Sequence, residues 1–124
     1  MAEISVLIVD DSSVMRKIVE RALRQAGLNL MRVVEAGSGR EALTALGRER
    51  VDLIVSDINM PNMDGLEFLT KVRAEPAWKD LPILMVSTEG TQAKVLEAVE
   101  RGASGYVRKP FTADQIKEKL AGLF

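Results

Sequence analysis

Val6-Leu-Ile-Val-Asp-Asp11 runs an apolar stretch straight into two carboxylates, and the pattern recurs along the chain. Val51-Asp-Leu-Ile-Val55 passes through Ser56 into Asp57, Ile83-Leu-Met-Val86 ends in Ser87-Thr88, and Tyr106-Val107 leads to Lys109-Pro110. Short Val- and Ile-rich runs bounded by polar residues read as buried strands. Between them apolar residues recur at helical spacing. Val14, Ile18, Ala22, Leu23 and Ala26 precede Gly27; Ala42, Leu43 and Leu46 precede Gly47; Leu66, Leu69 and Val72 precede Pro76. Val95, Leu96, Ala98 and Val99 precede Gly102, and Ile116, Leu120 and Leu123 close the chain. The glycines and the proline mark the expected helix ends. Ser38 with Glu41, and Thr112 with Gln115, have the spacing of a capping box, and Thr91 can cap the fourth helix. Met31-Arg-Val-Val-Glu35 supplies a weaker second strand. Five strands alternating with five helices predict an α/β fold, one parallel sheet covered on both faces.

Parallel strands end side by side, so the residues just past them share one edge, where ligands bind in open α/β sheets. Asp10 and Asp11 alone would suit a helix N-terminus as caps. With Asp57 beside them three carboxylates crowd together, and like charges in a cleft resist ionisation unless compensated. A hard divalent cation resolves this: Mg²⁺ takes oxygen ligands at about 2.0–2.1 Å and keeps some of its waters. Lys109 would neutralise further charge, and Ser87 would present a hydroxyl. Asp is a phosphoryl-accepting nucleophile. A cation, an ammonium and a hydroxyl around it would stabilise the equatorial oxygens of a transferring phosphoryl group.

Composition narrows the chemistry. A chain of 124 residues, 47% hydrophobic and 28% charged, fits a single globular domain over residues 1–124. Its formal net charge of −1, from 17 basic and 18 acidic residues, argues against a bulk electrostatic grip on nucleic acid. With no cysteine and no histidine, disulfides, thiolate or imidazole metal sites and a histidine phosphocarrier are excluded, leaving oxygen or lysine for covalent chemistry. No apolar run is long enough to span a bilayer, and the start lacks a signal-peptide pattern, so the expected location is the cytoplasm without membrane insertion.

The chain resembles the receiver domains of bacterial two-component response regulators. The resemblance rests on Val9-Asp-Asp-Ser12, Ser56-Asp-Ile-Asn-Met-Pro61 with Met63-Asp-Gly65, Val86-Ser-Thr88, Gly102-Ala-Ser-Gly-Tyr106 and Lys109-Pro-Phe111, and it covers essentially every residue. Asn59-Met-Pro-Asn-Met-Asp-Gly-Leu-Glu67 and Lys109-Pro-Phe-Thr112 make it most similar to the single-domain chemotaxis (CheY-like) type. It implies a doubly wound, flavodoxin-like sheet of order 2-1-3-4-5, and a phosphorylation-activated switch rather than an enzyme with a separate substrate. Asp57 would be the phosphoacceptor, and Asp10, Asp11, Asp57 and the Asn59 carbonyl would hold Mg²⁺. Ser87 and Lys109 would contact the phosphoryl group, Tyr106 would turn inward as the switch aromatic, and Asn59 and Glu89 would tune hydrolysis. Gly90, Tyr106, Phe111 and Lys119 would form the partner surface, and Lys109-Pro110 is a candidate cis peptide. The partners implied are a histidine kinase as phosphodonor and a downstream protein such as the flagellar motor switch, met by a monomer with no direct nucleic-acid contact.

The chain departs from the family in small ways. Ser87 stands where many relatives carry Thr, Ile58 where the chemotaxis type can carry an aromatic, and Arg108 adds charge beside the output surface. Three alternatives remain at this level. The chain could be a receiver cut from a longer regulator with a DNA-binding or enzymatic output domain. It could be a small phosphatase of the haloacid dehalogenase type, which would want Asp where Asn59 stands. A nucleotide-binding module is disfavoured, because the first turn reads Asp-Asp-Ser-Ser and not a glycine-rich cradle.

Overall fold

The computed structural model of the chain describes residues 3–60, 63–88 and 91–123. Strands β1 (Glu3–Val9), β2 (Asn29–Ala36), β3 (Leu53–Asp57), β4 (Ile83–Ser87) and β5 (Gly105–Arg108) alternate with helices α1 (Ser13–Gln25), α2 (Gly39–Arg48), α3 (Gly65–Ala74), α4 (Gln92–Glu100) and α5 (Ala113–Ala121). The sheet order is β2-β1-β3-β4-β5 and every pairing is parallel, as expected.

Side chains alternate across a strand, so each strand feeds two cores. Leu7, Val9, Ile54, Ile83 and Met85 face α2, α3 and α4, packing on Leu46, Phe68, Leu69, Val72 and Ala98. Val6, Ile8, Val55, Leu84 and Val86 face α1 and α5, packing on Val19, Leu23, Ile116 and Leu120. Every residue of β3 and β4 is buried, which is why those runs carry no polar alternation. β2 lies at the edge and is buried only in part, matching its weaker apolar pattern.

The helix starts are set locally. Ser12, Ser38, Asp64, Thr91 and Thr112 each accept a hydrogen bond from the backbone N–H three residues on. Gln115 completes the capping box by accepting from the Thr112 N–H at 2.9 Å. Glu41 does not: its carboxylate accepts from the Gly37 N–H at 3.2 Å, one residue earlier. Gly27 and Gly102 follow α1 and α4 with φ of 99° and 107°, the left-handed region open to glycine. Gly47 is no stop; α2 continues to Arg48. Pro76 does follow the end of α3, and it opens a short 3-10 turn, Pro76–Trp78, that periodicity did not reveal.

Two expected core faces are corrected. Val14 and Ile18 are 68% and 48% exposed, and Leu96 and Val99 are 56% and 52% exposed. In α1 the buried stripe runs through Val19, Ala22 and Leu23. Ile18 lies about 100° around the helix from Val19 and Val14 about 140°, so both fall outside the stripe, beyond its Ala22 margin. Among the described residues, no helix is long and apolar enough to cross a membrane.

Candidate functional site

The parallel register aligns the strand ends. Val9 pairs with Ser56, which puts Asp10 level with Asp57. Asp57 pairs with Val86, which puts Ser87 one step further out. Ser87 pairs with Arg108, so Lys109 lies just past it, with the Lys109 N–H donating to the Ser87 carbonyl at 2.7 Å. Oxygens of Asp10, Asp11 and Asp57 lie within 4.8 Å of one another.

Asp10 is buried and fully engaged. Its N–H donates to the Ala36 carbonyl at 3.1 Å, Oδ1 accepts from the Ser12 N–H at 2.9 Å, and Oδ2 accepts from Lys109 Nζ at 3.0 Å. Its carbonyl accepts from an Arg16 guanidinium nitrogen at 2.7 Å. Asp10 therefore organises the turn, while Ser12 caps the helix: neither acid of the pair is the cap. Asp11 is exposed.

Asp57 closes β3 and is also buried. Oδ1 accepts from the Ile58 N–H at 2.9 Å and lies 3.5 Å from Lys109 Nζ. Burial pushes its carboxyl above the usual range, opposed by the Lys109 ammonium, reinforced by the Asp10 charge and opposed again by the Ile58 and Asn59 N–H groups. The loop after Asp57 packs against the start of α3, where the Gly65 N–H donates to the Ile58 carbonyl at 2.7 Å. A Cβ on Gly65 would overlap the Asp57 carbonyl oxygen, so only glycine allows this approach.

Three carboxylates face the single ammonium of Lys109 among the described residues, leaving a formal excess of two negative charges if all are ionised. An all-oxygen donor set with that excess fits a hard divalent cation of the Mg²⁺ kind.

The remaining expected residues are placed as follows. Ser87 is fully buried at the end of β4. Tyr106 sits in β5 beside Met85 and is mostly buried in the core under α3 and α4. With Val95, Val99, Arg108 and Lys119 it also lines a groove of about 420 Å³. Phe111 is not in that groove; it packs on the opposite core, under α1 and α5. Asn59 is exposed, and its N–H is directed to the Asp57 carboxylate. Lys109-Pro110 is cis. Pro61, Glu89 and Gly90 lie outside the described residues.

Sequence reasoning missed Arg16, and it quoted Gly65 in a motif without seeing its role. The signal for Arg16 was a cation in the first turns of α1, where a side chain reaches back toward the N-terminus.

Residues 6–121 match the family model of the response regulator receiver domain. The chain is 44% identical over 119 residues to the chemotaxis protein CheY-3 of Vibrio cholerae, covering 96% of this chain and 90% of that protein. It is 47% identical over 115 residues to the chemotaxis protein CheY homolog of Campylobacter jejuni, covering 92% and 87%. Among solved structures it is similar to the chemotaxis response regulator CheY4 of Vibrio cholerae, with a TM-score of 0.84, 40% identity, and coverage of 100% of this chain and 99% of that one.

Proposed function

The chain belongs to the response regulator receiver family, in its CheY-like chemotaxis branch, and on that footing we propose that Asp57 is the phosphoacceptor of a phosphorylation-activated switch. The observation that carries this reading is the convergence of Asp10, Asp57, Lys109 and Ser87 at one sheet edge, with Asp57 nine-tenths buried yet reachable.

A phosphohistidine on a partner kinase, or a small acyl phosphate, donates the phosphoryl group. An Asp57 oxygen forms the new O–P bond as the donor's P–N or P–O bond breaks; the nitrogen then takes a proton, or the carboxylate leaves as an anion. Asp10, Asp11, Asp57 and the Asn59 carbonyl would hold Mg²⁺, which neutralises charge on the phosphoryl oxygens when bound. Lys109 lies close enough to Asp57 to transfer its ammonium from Asp10 to the phosphoryl group. Ser87, one residue beyond the register of Asp57, supplies a hydroxyl. Its movement makes room for Tyr106 to turn inward, which reshapes the groove of Val95, Val99, Arg108 and Lys119 for a downstream protein. Output depends on how much better that partner binds the phosphorylated population.

In this reading residues 1–124 are one receiver domain, a cytoplasmic monomer that slowly hydrolyses its own acyl phosphate under the influence of Asn59 and Glu89. It turns over no other substrate. The chemotaxis relatives make the flagellar motor switch our candidate target. Incubation with Mg²⁺ and acetyl phosphate should add one phosphoryl mass to the Asp57 peptide. No added mass, or the same mass on an Asp57→Asn variant, would sink the proposal.

A further inference from the structure

We infer that Arg16 is a positioning residue for the acid cluster: by clamping the Asp10–Asp11 peptide to the end of β2 it sets where the Asp11 carboxylate projects. The inference rests on the functional reading above.

The guanidinium of Arg16 folds back over the first turn of α1 and bridges two elements. One terminal nitrogen donates to the Asp10 carbonyl at 2.7 Å, and Nε donates to Glu35 Oε1 at 2.9 Å. The Arg16 side chain is only 18% exposed, while Glu35 lies at the surface with its side chain 29% exposed. Glu35 is held in turn by Lys17 Nζ at 3.0 Å, and its carboxyl is kept below the usual range by Lys17 and then Arg16, so it stays ionised near neutrality. The residue after Glu35 is Ala36, whose carbonyl receives the Asp10 N–H. Both peptide groups flanking the Asp10 Cα are thus anchored at the end of β2, one directly and one through Arg16.

The two acids depend on this anchor unequally. The Asp10 carboxylate is fixed by the Ser12 N–H and by Lys109. Asp11 is exposed, and its side chain has no hydrogen bond among the described residues. Only its backbone places it, and the carbonyl that Arg16 grips belongs to the peptide plane leading into Asp11. Glu35 opposes the Arg16 charge on its far side, a carboxylate that Arg16 shares with Lys17.

Partners outside the ligand set typically change metal affinity about 10- to 100-fold. Calorimetric Mg²⁺ titration of the unphosphorylated full chain should show Arg16→Gln binding roughly 10-fold more weakly. Asp11→Asn should lose affinity as well, and the Arg16→Gln/Asp11→Asn double variant should lose no more than Asp11→Asn alone, since Arg16 acts through Asp11. Glu35→Gln, a gentler change that leaves Arg16 in place, should weaken binding in the same direction. Backbone relaxation at the Asp11 amide should report added motion in both single clamp variants without Mg²⁺. Additive losses in the double variant, or wild-type affinity and Asp11 order in Arg16→Gln and Glu35→Gln, overturn the inference and leave the functional reading standing. A wild-type chain that takes up no Mg²⁺ overturns both.

Discussion

Replacing Lys109 with methionine would remove the ammonium between two buried carboxylates while keeping most of the side chain's length. Nζ lies 3.0 Å from Asp10 Oδ2 and 3.5 Å from Asp57 Oδ1, and the three side chains are 12%, 5% and 9% exposed. At an effective dielectric of about 20 each attraction is worth roughly 5 kcal/mol before desolvation is counted. The variant no longer desolvates the ammonium, and Asp57 can take up a proton, so the net loss is smaller. Removing one partner of a buried pair costs about 3–5 kcal/mol, and we expect about 3 kcal/mol here at neutral pH. For a domain of this size that lowers the melting midpoint by roughly 10 °C. The loss has a characteristic pH dependence. Burial already raises the Asp57 carboxyl and Lys109 is the main influence holding it down, so the variant raises it further. A carboxyl raised in the folded state contributes stability that is complete below its unfolded pKa and lost as pH rises through the folded one. The deficit against wild type should therefore be small in mild acid and grow toward neutrality. Mg²⁺ should restore more stability to the variant than to wild type, because the site it joins is more negative. Urea unfolding followed by the single tryptophan, Trp78, packed against the core, measures all of this. A deficit under about 1 kcal/mol, the worth of an exposed pair, or one that does not change with pH, would refute the reasoning.

Asp57→Asn should stabilise the Mg²⁺-free chain at neutral pH by about 1 kcal/mol, since it removes a charge whose burial is unfavourable. The gain should shrink as acid protonates wild-type Asp57; a destabilised variant at neutral pH would contradict the site's electrostatics. Gly65→Ala should cost about 2 kcal/mol and weaken Mg²⁺ binding, because the new Cβ meets the Asp57 backbone and not a yielding side chain. Wild-type melting and wild-type calorimetry would show that the loop has room. Ser87→Ala should still be labelled on Asp57 by acetyl phosphate, yet beryllofluoride should no longer shift the ring resonances of Tyr106, the single tyrosine. An unchanged shift would remove Ser87 from the switch.

Alternating apolar runs and helical spacings were enough to read five strands, five helices and a parallel sheet, because both periods follow from backbone geometry. Ser38, Thr91 and Thr112 were legible as helix starts since a cap bonds an amide three residues away. That Asp10, Asp57, Ser87 and Lys109 share one sheet edge was legible because parallel strands end on the same side, while their close approach depends on β1, β3, β4 and β5 being successive neighbours. The order of the strands came from family resemblance, not from the spacing of residues. Packing decided which helix faces turn inward, leaving Val14, Ile18, Leu96 and Val99 in solvent, and it sent Phe111 away from the groove beside Tyr106. It also decided that Arg16 would bridge Asp10 and Glu35, partners 6 and 19 residues distant, and that Gly65 would touch the Asp57 backbone. Hydrogen bonds within a few residues are written into the chain's own periodicity. Contacts between elements exist only once each element has been rotated and docked, and that choice is made by the shape of the whole core.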